Sequence, residues 1–181
     1  MQLPLQLLDS LDNLKGFDKD AFVSVHVTGE QVTSIRLNPQ KKSNIQNLKS
    51  KIDWTENGCY LESRPSFTFD PLFHAGCYYV QDPSSMFLEQ ALKQTVDLSE
   101  SLKVLDLCAA PGGKSSHIQS LISKESLLVS NEVIRSRANV LKDNIIRWGC
   151  ENAVVTNNDP KDFSRLENYF DVIVVDAPCS G

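Results

Sequence analysis

What the sequence lacks narrows its function first. No apolar run approaches the length needed to cross a bilayer, and the N-terminal stretch MQLPLQLLDSLDNLKGF carries acids where a secretory leader would carry bases. The expected address is the cytoplasm, with no membrane partner. The five cysteines, Cys59, Cys77, Cys108, Cys150 and Cys179, include no C-x-x-C pair, and an odd number cannot all be bridged within one chain. They read as free thiols in a reducing compartment. His26, His74 and His117 lie far from one another and from any thiol at ligand spacing, so no metal is expected. Positive charge is also short: a net charge of -5 argues mildly against a free-standing nucleic-acid binder without excluding one.

What is present is ordinary globular material. With 181 residues, 41% of them hydrophobic and 23% charged, the chain holds enough for one domain with an appendage. The charge is uneven. Five bases and no acid fall between Arg36 and Lys51, whereas 14 acids face 10 bases from Asp82 onward. Taken alone, the basic stretch is as well explained by a solvated loop face as by an RNA-facing patch.

Two grammars follow each other along the chain. Leucines at helical spacing predict an amphipathic helix over 2–15. The period-two stretches AFVSVHVTG (21–29) and QVTSIRLNP (31–39) predict a hairpin, and aromatic-rich short strands and loops lead to a linker at Gln81 to Ser85. A small α+β domain is thus expected over 1–81. After Pro83 helices and strands alternate: SSMFLEQALKQTV as a helix capped by Ser84, LKVLDLC as a strand, GKSSHIQSLIS as a helix and SLLVSNE as a strand. VIRSRANVLKDNIIRWG then reads as a helix closed by Gly149, NAVVTNND as a strand, PKDFSRLENY as a helix and FDVIVVDAP as a strand. This pattern predicts an α/β, Rossmann-like parallel sheet over 82–181, with ligands at the carboxyl ends of its strands. Only four such strands are read before Gly181, so the chain is expected to be the N-terminal part of a longer protein.

The loop CAAPGGKSS after the first of these strands offers half of a phosphate cradle. Gly113, Lys114 and Ser115 match its second half, but the required leading glycine falls at Cys108, and Pro111 removes an amide from the segment that would hold phosphate. The dinucleotide fingerprint is missing as well. Small residues, Ala109, Ala110, Gly112 and Gly113, nevertheless let a flat ligand approach the backbone. Glu132 ends the second strand, where an acid accepts hydrogen bonds from ribose hydroxyls, and Asp159 follows the third, where it could accept from an adenine amino group. Either acid alone is equally well read as a helix cap or first-turn acid. The fourth strand ends in DAPCSG. A thiol at Cys179 suits carbon chemistry, since C5 of cytosine becomes nucleophilic when a thiolate adds to C6, and Asp176 could bind the N3/N4 edge of that base.

These motifs, VLDLCAAPGGKSSHI, NEVIRSRANVLKDNIIRWG, NND and DAPCSG, with HAGCYYVQDPSSM upstream, closely resemble the Sun family of RNA 5-methylcytosine methyltransferases, in particular bacterial 16S ribosomal RNA enzymes of the RsmF and RsmB kind. The likeness runs over about residues 74 to 181, and SIRLNP is similar to the family's small α/β appendage. The resemblance implies S-adenosylmethionine as cofactor and RNA as partner, ribosomal rather than transfer RNA by likeness to the bacterial enzymes. It implies that Cys108 to Lys114 wrap the methionine and sugar, Glu132 holds the ribose, Asp159 faces the adenine, and Asp176 lies between cofactor and cytosine. Lys114 then reaches toward the cofactor carboxylate or the substrate. It further implies that Cys179 assists product release, the nucleophile being a second cysteine in a Thr-Cys motif beyond Gly181. The 181 residues alone are accordingly expected to be inactive. Two rival readings stay open: a nucleotide-binding module with a degenerate phosphate loop, and a catalytically dead RNA-binding relative.

Overall fold

The computed structural model describes residues 3–29, 31–149 and 151–177; Cys150 and Cys179 lie outside the described residues. Residues 1–32 form one compact unit and residues 33–181 a second. In the first unit, helix α1 (Leu5–Leu11) occupies the centre of the expected N-terminal helix. Helix α2 (Lys19–Thr28) replaces the first strand of the expected hairpin. Its period-two valines are overridden by local signals at both ends. The Asp18 carboxylate accepts the Ala21 amide at 2.9 Å, and Gly29 closes the helix at a φ of 62°. Phe17, immediately before the cap, packs on Phe22 with ring centroids 5.4 Å apart and staples the first turn.

The second unit contains two sheets. Strands β1 (Ser34–Leu37), β2 (Leu48–Lys51), β3 (Gly58–Leu61) and β4 (Tyr78–Val80) form an antiparallel sheet in the order β2-β3-β1-β4. The short helix α3 (Pro71–His74), capped by Asp70, precedes β4. Ile35, Cys59, Leu61, Cys77 and Tyr78 form the core of this sheet, and β2 lies at its edge with every residue exposed. The segment expected as a linker is packed: Gln81 is buried, and Met86 has no exposed surface. Ser84 does not cap a helix there; residues Ser84–Phe87 make a 3-10 turn that runs into helix α4 (Leu88–Thr95).

The alternating part follows its expected order. Strands β5 (Lys103–Asp106), β6 (Leu127–Asn131), β7 (Ala153–Thr156) and β8 (Val172–Val174) are all parallel, in the order β7-β6-β5-β8. Helix α5 (Gly113–Leu121) joins β5 to β6, and helix α6 (Arg135–Trp148) joins β6 to β7. Residues Pro160–Arg165, expected to begin an α-helix, form a 3-10 segment instead. The chain therefore runs outward from β5 to β7 and returns to the other side of β5, which puts the reversal of strand order between β5 and β8. Helix α6 buries Ala138, Leu141, Ile145 and Trp148, one stripe at helical spacing, and ends on Gly149 at a φ of 89°, as its sequence predicts.

Buried polar ties join the two sheets. Arg36, fully buried on β1, donates from Nε to Gln81 Oε1 at 2.9 Å, from Nη1 to the Ser116 carbonyl and Ser120 Oγ at 3.3 Å, and from Nη2 to Ser116 Oγ at 2.6 Å and the Gly113 carbonyl at 3.2 Å. Its guanidinium also stacks 4.5 Å from the Trp148 ring. Burial lowers the Arg36 pKa to about 9. Arg36 is thus no part of the exposed basic face to which its sequence position assigned it.

A second tie centres on Glu89 of α4, which is 1% exposed. It accepts from Thr55 Oγ1 at 2.7 Å, Lys93 Nζ at 2.7 Å, the Glu56 amide at 3.2 Å and His117 Nε2 at 3.0 Å. Burial alone would raise this carboxyl; the bonds from His117, Lys93, Thr55 and Glu56 outweigh it and hold the pKa at about 2. Burial lowers the His117 pKa, so the imidazole acts as a neutral donor through Nε2.

Two predictions follow from these ties. Arg36→Lys removes the planar fork and leaves several buried acceptors unpaired, which should cost about 2–4 kcal/mol in urea unfolding. For Glu89, a folded pKa below the unfolded 4.5 means a contribution that is full above pH 4.5 and lost as pH falls toward 2. It amounts to about 3 kcal/mol by the linkage relation. Glu89→Gln should flatten the stability curve over that window, which acid titration of unfolding measures directly.

Candidate active site

The carboxyl end of the parallel sheet is held by side chains that bridge neighbouring strands. Asn131, buried at the end of β6, donates to the Leu107 carbonyl at 3.2 Å and the Asn158 carbonyl at 3.0 Å, and accepts from the Asn158 amide at 3.0 Å and Thr156 Oγ1 at 2.9 Å. Its backbone carbonyl accepts the Ala109 amide at 2.8 Å, which seats the start of the CAAPGG loop on β6. From outside, Arg137 Nη2 donates to the Ala110 carbonyl at 2.8 Å and Asn144 Nδ2 to the Pro111 carbonyl at 2.6 Å. The Ala110-Pro111 peptide is cis. Gly112, at a φ of 108°, then turns the chain into α5, in a conformation where a side chain would be strained. The loop is thus clamped between β6 and α6.

Acids from three strand ends converge on this loop. Asp106, the last residue of β5, has no exposed surface and accepts from Ser115 Oγ at 2.6 Å, while its other carboxylate oxygen has no hydrogen-bond partner among the described residues. Burial raises its pKa to about 6 in spite of that bond. Burial also raises the Cys108 thiol, and the charges of Glu132, Asp106 and Asp176 push it further in the same direction. Those three carboxylates therefore act on one sulfur, and the Arg137 guanidinium acts on it in the opposite sense. Asp176 Oδ2 pairs with Lys114 Nζ at 2.6 Å, which joins the segment after β8 to the first turn of α5 across the point where strand order reverses.

Between the antiparallel sheet and the loop lies a cleft of about 240 Å³. Cys108, Ala109, Ala110, Pro111, Gly113, Lys114 and Asp176, seven of the expected site residues, line one side. Tyr79, Val80, Gln81, Asp82 and Ser85 line the other. Gly112 belongs to the same loop without facing the cleft, and neither Glu132 nor Asp159 lines it. Glu132 is 2% exposed; one oxygen accepts the Ile134 amide at 3.0 Å and the other lies 3.4 Å from Arg137 Nη1. Asp159 caps the 3-10 segment by accepting the Lys161 amide at 3.0 Å, and this bond with the Lys161 side chain lowers its pKa. Cys179 lies outside the described residues.

Sequence reasoning missed Asp106 and the far wall of the cleft. The sequence contained a signal for Asp106, an acid closing an otherwise apolar strand. For Gln81 there was none, because QDPSS carries the composition of a linker.

Two family models match the chain: the N-terminal domain of 16S rRNA methyltransferase RsmF over residues 3–83, and 16S rRNA methyltransferase RsmB/F over residues 93–181. Ribosomal RNA small subunit methyltransferase F of Vibrio parahaemolyticus is 37% identical over 163 residues, 82% of this chain and 33% of that protein. The 26S rRNA (cytosine-C(5))-methyltransferase nsun-1 of Caenorhabditis elegans is 37% identical over 138 residues, 75% of this chain and 20% of that protein. The chain thus spans a fifth to a third of the length of these relatives. Among solved structures, a methyltransferase homolog protein from Pyrococcus horikoshii superposes with a TM-score of 0.72 at 27% identity, covering 99% of this chain and 65% of that one.

The raised Cys108 thiol carries a prediction. In iodoacetamide labelling followed by peptide mass spectrometry, Cys108 should alkylate more slowly than a free thiol at neutral pH, with a rate midpoint above 9.0. A midpoint below that value would contradict the burial of this thiol beside the carboxylates.

Proposed function

We propose, from the premise that the chain belongs to the RsmB/F family of 16S rRNA methyltransferases, that the full-length protein methylates C5 of a cytosine in RNA, with ribosomal RNA as substrate. The observation that carries this reading is the cleft in which the Cys108–Lys114 loop meets the Lys114–Asp176 ion pair at the reversal of strand order.

The methyl donor is S-adenosylmethionine, which supplies an electrophilic methyl group when bound. The residues fit such a ligand. The loop residues Ala109, Ala110 and Gly113 are small enough for close approach, and carboxylates at the ends of β5, β6 and β8 suit a molecule carrying an ammonium, a sulfonium and two ribose hydroxyls. Glu132 would hold the ribose and Asp159 would face the adenine. Each would exchange its present contact, to the Ile134 amide and the Lys161 amide respectively, for one to the ligand.

Asp176, oriented by Lys114, would accept from the amino edge of the target cytosine. Addition of a thiolate to C6 makes C5 an enamine carbon that takes the methyl group; loss of the C5 proton and elimination of the thiolate then restore the aromatic ring. Cys179 would assist that elimination. A charge pair 2.6 Å apart at the mouth of a small cleft is suited to hold one pyrimidine edge and is poorly matched to a triphosphate, whose charge Asp176 would repel.

The reading is tested with the full-length protein, S-adenosylmethionine and unmodified small-subunit RNA. The expected product is 5-methylcytosine by nucleoside mass spectrometry. Cys179→Ala should in addition accumulate a covalent protein–RNA adduct on denaturing gels. Absence of 5-methylcytosine with the wild type would refute the function, and absence of the adduct with the variant would refute the release role.

A further inference from the structure

Gln81 leaves β4 directly into the cleft and is 8% exposed. Its Oε1 accepts from Arg36 Nε at 2.9 Å. Because a guanidinium can only donate, this bond determines which end of the amide is oxygen. Nε2 must point the other way, and among the described residues it has no hydrogen-bond partner. It lies 3.7 Å from where a Cβ on Gly113 would stand, at the junction of the loop and α5, next to Lys114. A buried amide donor left unpaired is destabilising. Arg36 nevertheless holds it in that orientation.

The chemistry of the cleft indicates what completes this donor. Opposite Gln81 the wall offers Lys114 and Asp176, while Glu132 and Asp159 are not among its lining residues. The cleft is therefore on the substrate side of the loop, with the loop itself as a shared wall. Asp176 can accept from the amino group of cytosine, and the same edge of the ring also carries a carbonyl oxygen, O2, that needs a donor. We infer that Gln81 is a binding residue for the target base, donating from Nε2 to the pyrimidine O2, and that Arg36 is a positioning residue which presents that donor. The inference rests on the methyltransferase reading above and extends it to the wall contributed by the antiparallel sheet.

The test uses the full-length protein and a short RNA spanning the cytosine that bisulfite sequencing identifies as its product. Gln81→Glu keeps the size and the oxygen facing Arg36 but replaces the donor with an acceptor. It should lower kcat/KM for the RNA about 30-fold while calorimetric affinity for S-adenosylhomocysteine stays within about twofold. An independent arm leaves the protein unchanged and places 2-thiocytidine at the target position. The weakly accepting sulfur should lower wild-type kcat/KM about tenfold and cause no further loss in the variant. Unchanged RNA kinetics in Gln81→Glu would overturn the inference. So would a parallel loss of S-adenosylhomocysteine affinity, which would put Gln81 on the cofactor side. If the wild type makes no 5-methylcytosine, the underlying reading fails and the inference with it; a wild type that methylates beside an unaffected variant sinks the inference alone.

Discussion

The buried guanidinium of Arg36 ties the two sheets of the second unit together. A cation with no exposed surface is costly, and burial pulls its pKa down to about 9. The cost is offset because every side of the guanidinium is occupied: carbonyls and hydroxyls of α5, the Gln81 amide, and the face of Trp148 at the end of α6. These contacts fix β1 against α5 and α6 at several points at once. Two of the acceptors are the Gly113 carbonyl and the Ser116 hydroxyl in the first turn of α5, so the contact that docks the sheets also locates the start of the helix that follows the CAAPGG loop. Docking and site geometry are one constraint.

The electrostatics of the loop depend on that constraint. Three carboxylates act on Cys108 from the ends of β5, β6 and β8, and two cations answer them, Lys114 paired with Asp176 and Arg137 with Glu132. Acidic ends of this kind would repel an anionic ligand and suit one that carries positive charge and hydroxyl donors. Burial raises the Asp106 pKa to about 6, against the pull of its bond to Ser115. That bond makes Asp106 a second clamp on the first turn of α5, beside the grip of Arg36 on the same turn.

Much of this was legible in the sequence, and what was not has identifiable physical causes. The parallel sheet was readable because its strands are short apolar runs separated by helices with clear ends, such as Gly149 after α6. The CAAPGGKSS loop was readable as a non-phosphate pocket because Cys108 and Pro111 are incompatible with a phosphate cradle. Helix α2 was misread because Val23, Val25 and Val27 alternate like a strand, although the F-D-x-x-x-F staple and cap were there to be found. Arg36 was read as surface charge because burial of an arginine depends on acceptors 45 to 84 positions away, which no local pattern reveals. Gln81 was hidden for the same reason. Its composition is that of a connector, while its role depends on what Arg36 does to one end of its amide. Glu132 and Asp159 were correctly placed at strand ends, and both also make the local backbone contacts that the plainer reading assigned to them.

Strand β2 has a consequence of a different kind. Among the described residues it is the outer strand of the antiparallel sheet, with all four of its residues exposed. Lys49 and Lys51 stand on it, so a second copy of the strand laid alongside would bring like charges near one another. The basic stretch between Arg36 and Lys51 thus divides in two by burial. Its first residue ties the two sheets together from inside, and its last ones place like charge on the outer strand, where it would oppose the addition of another copy.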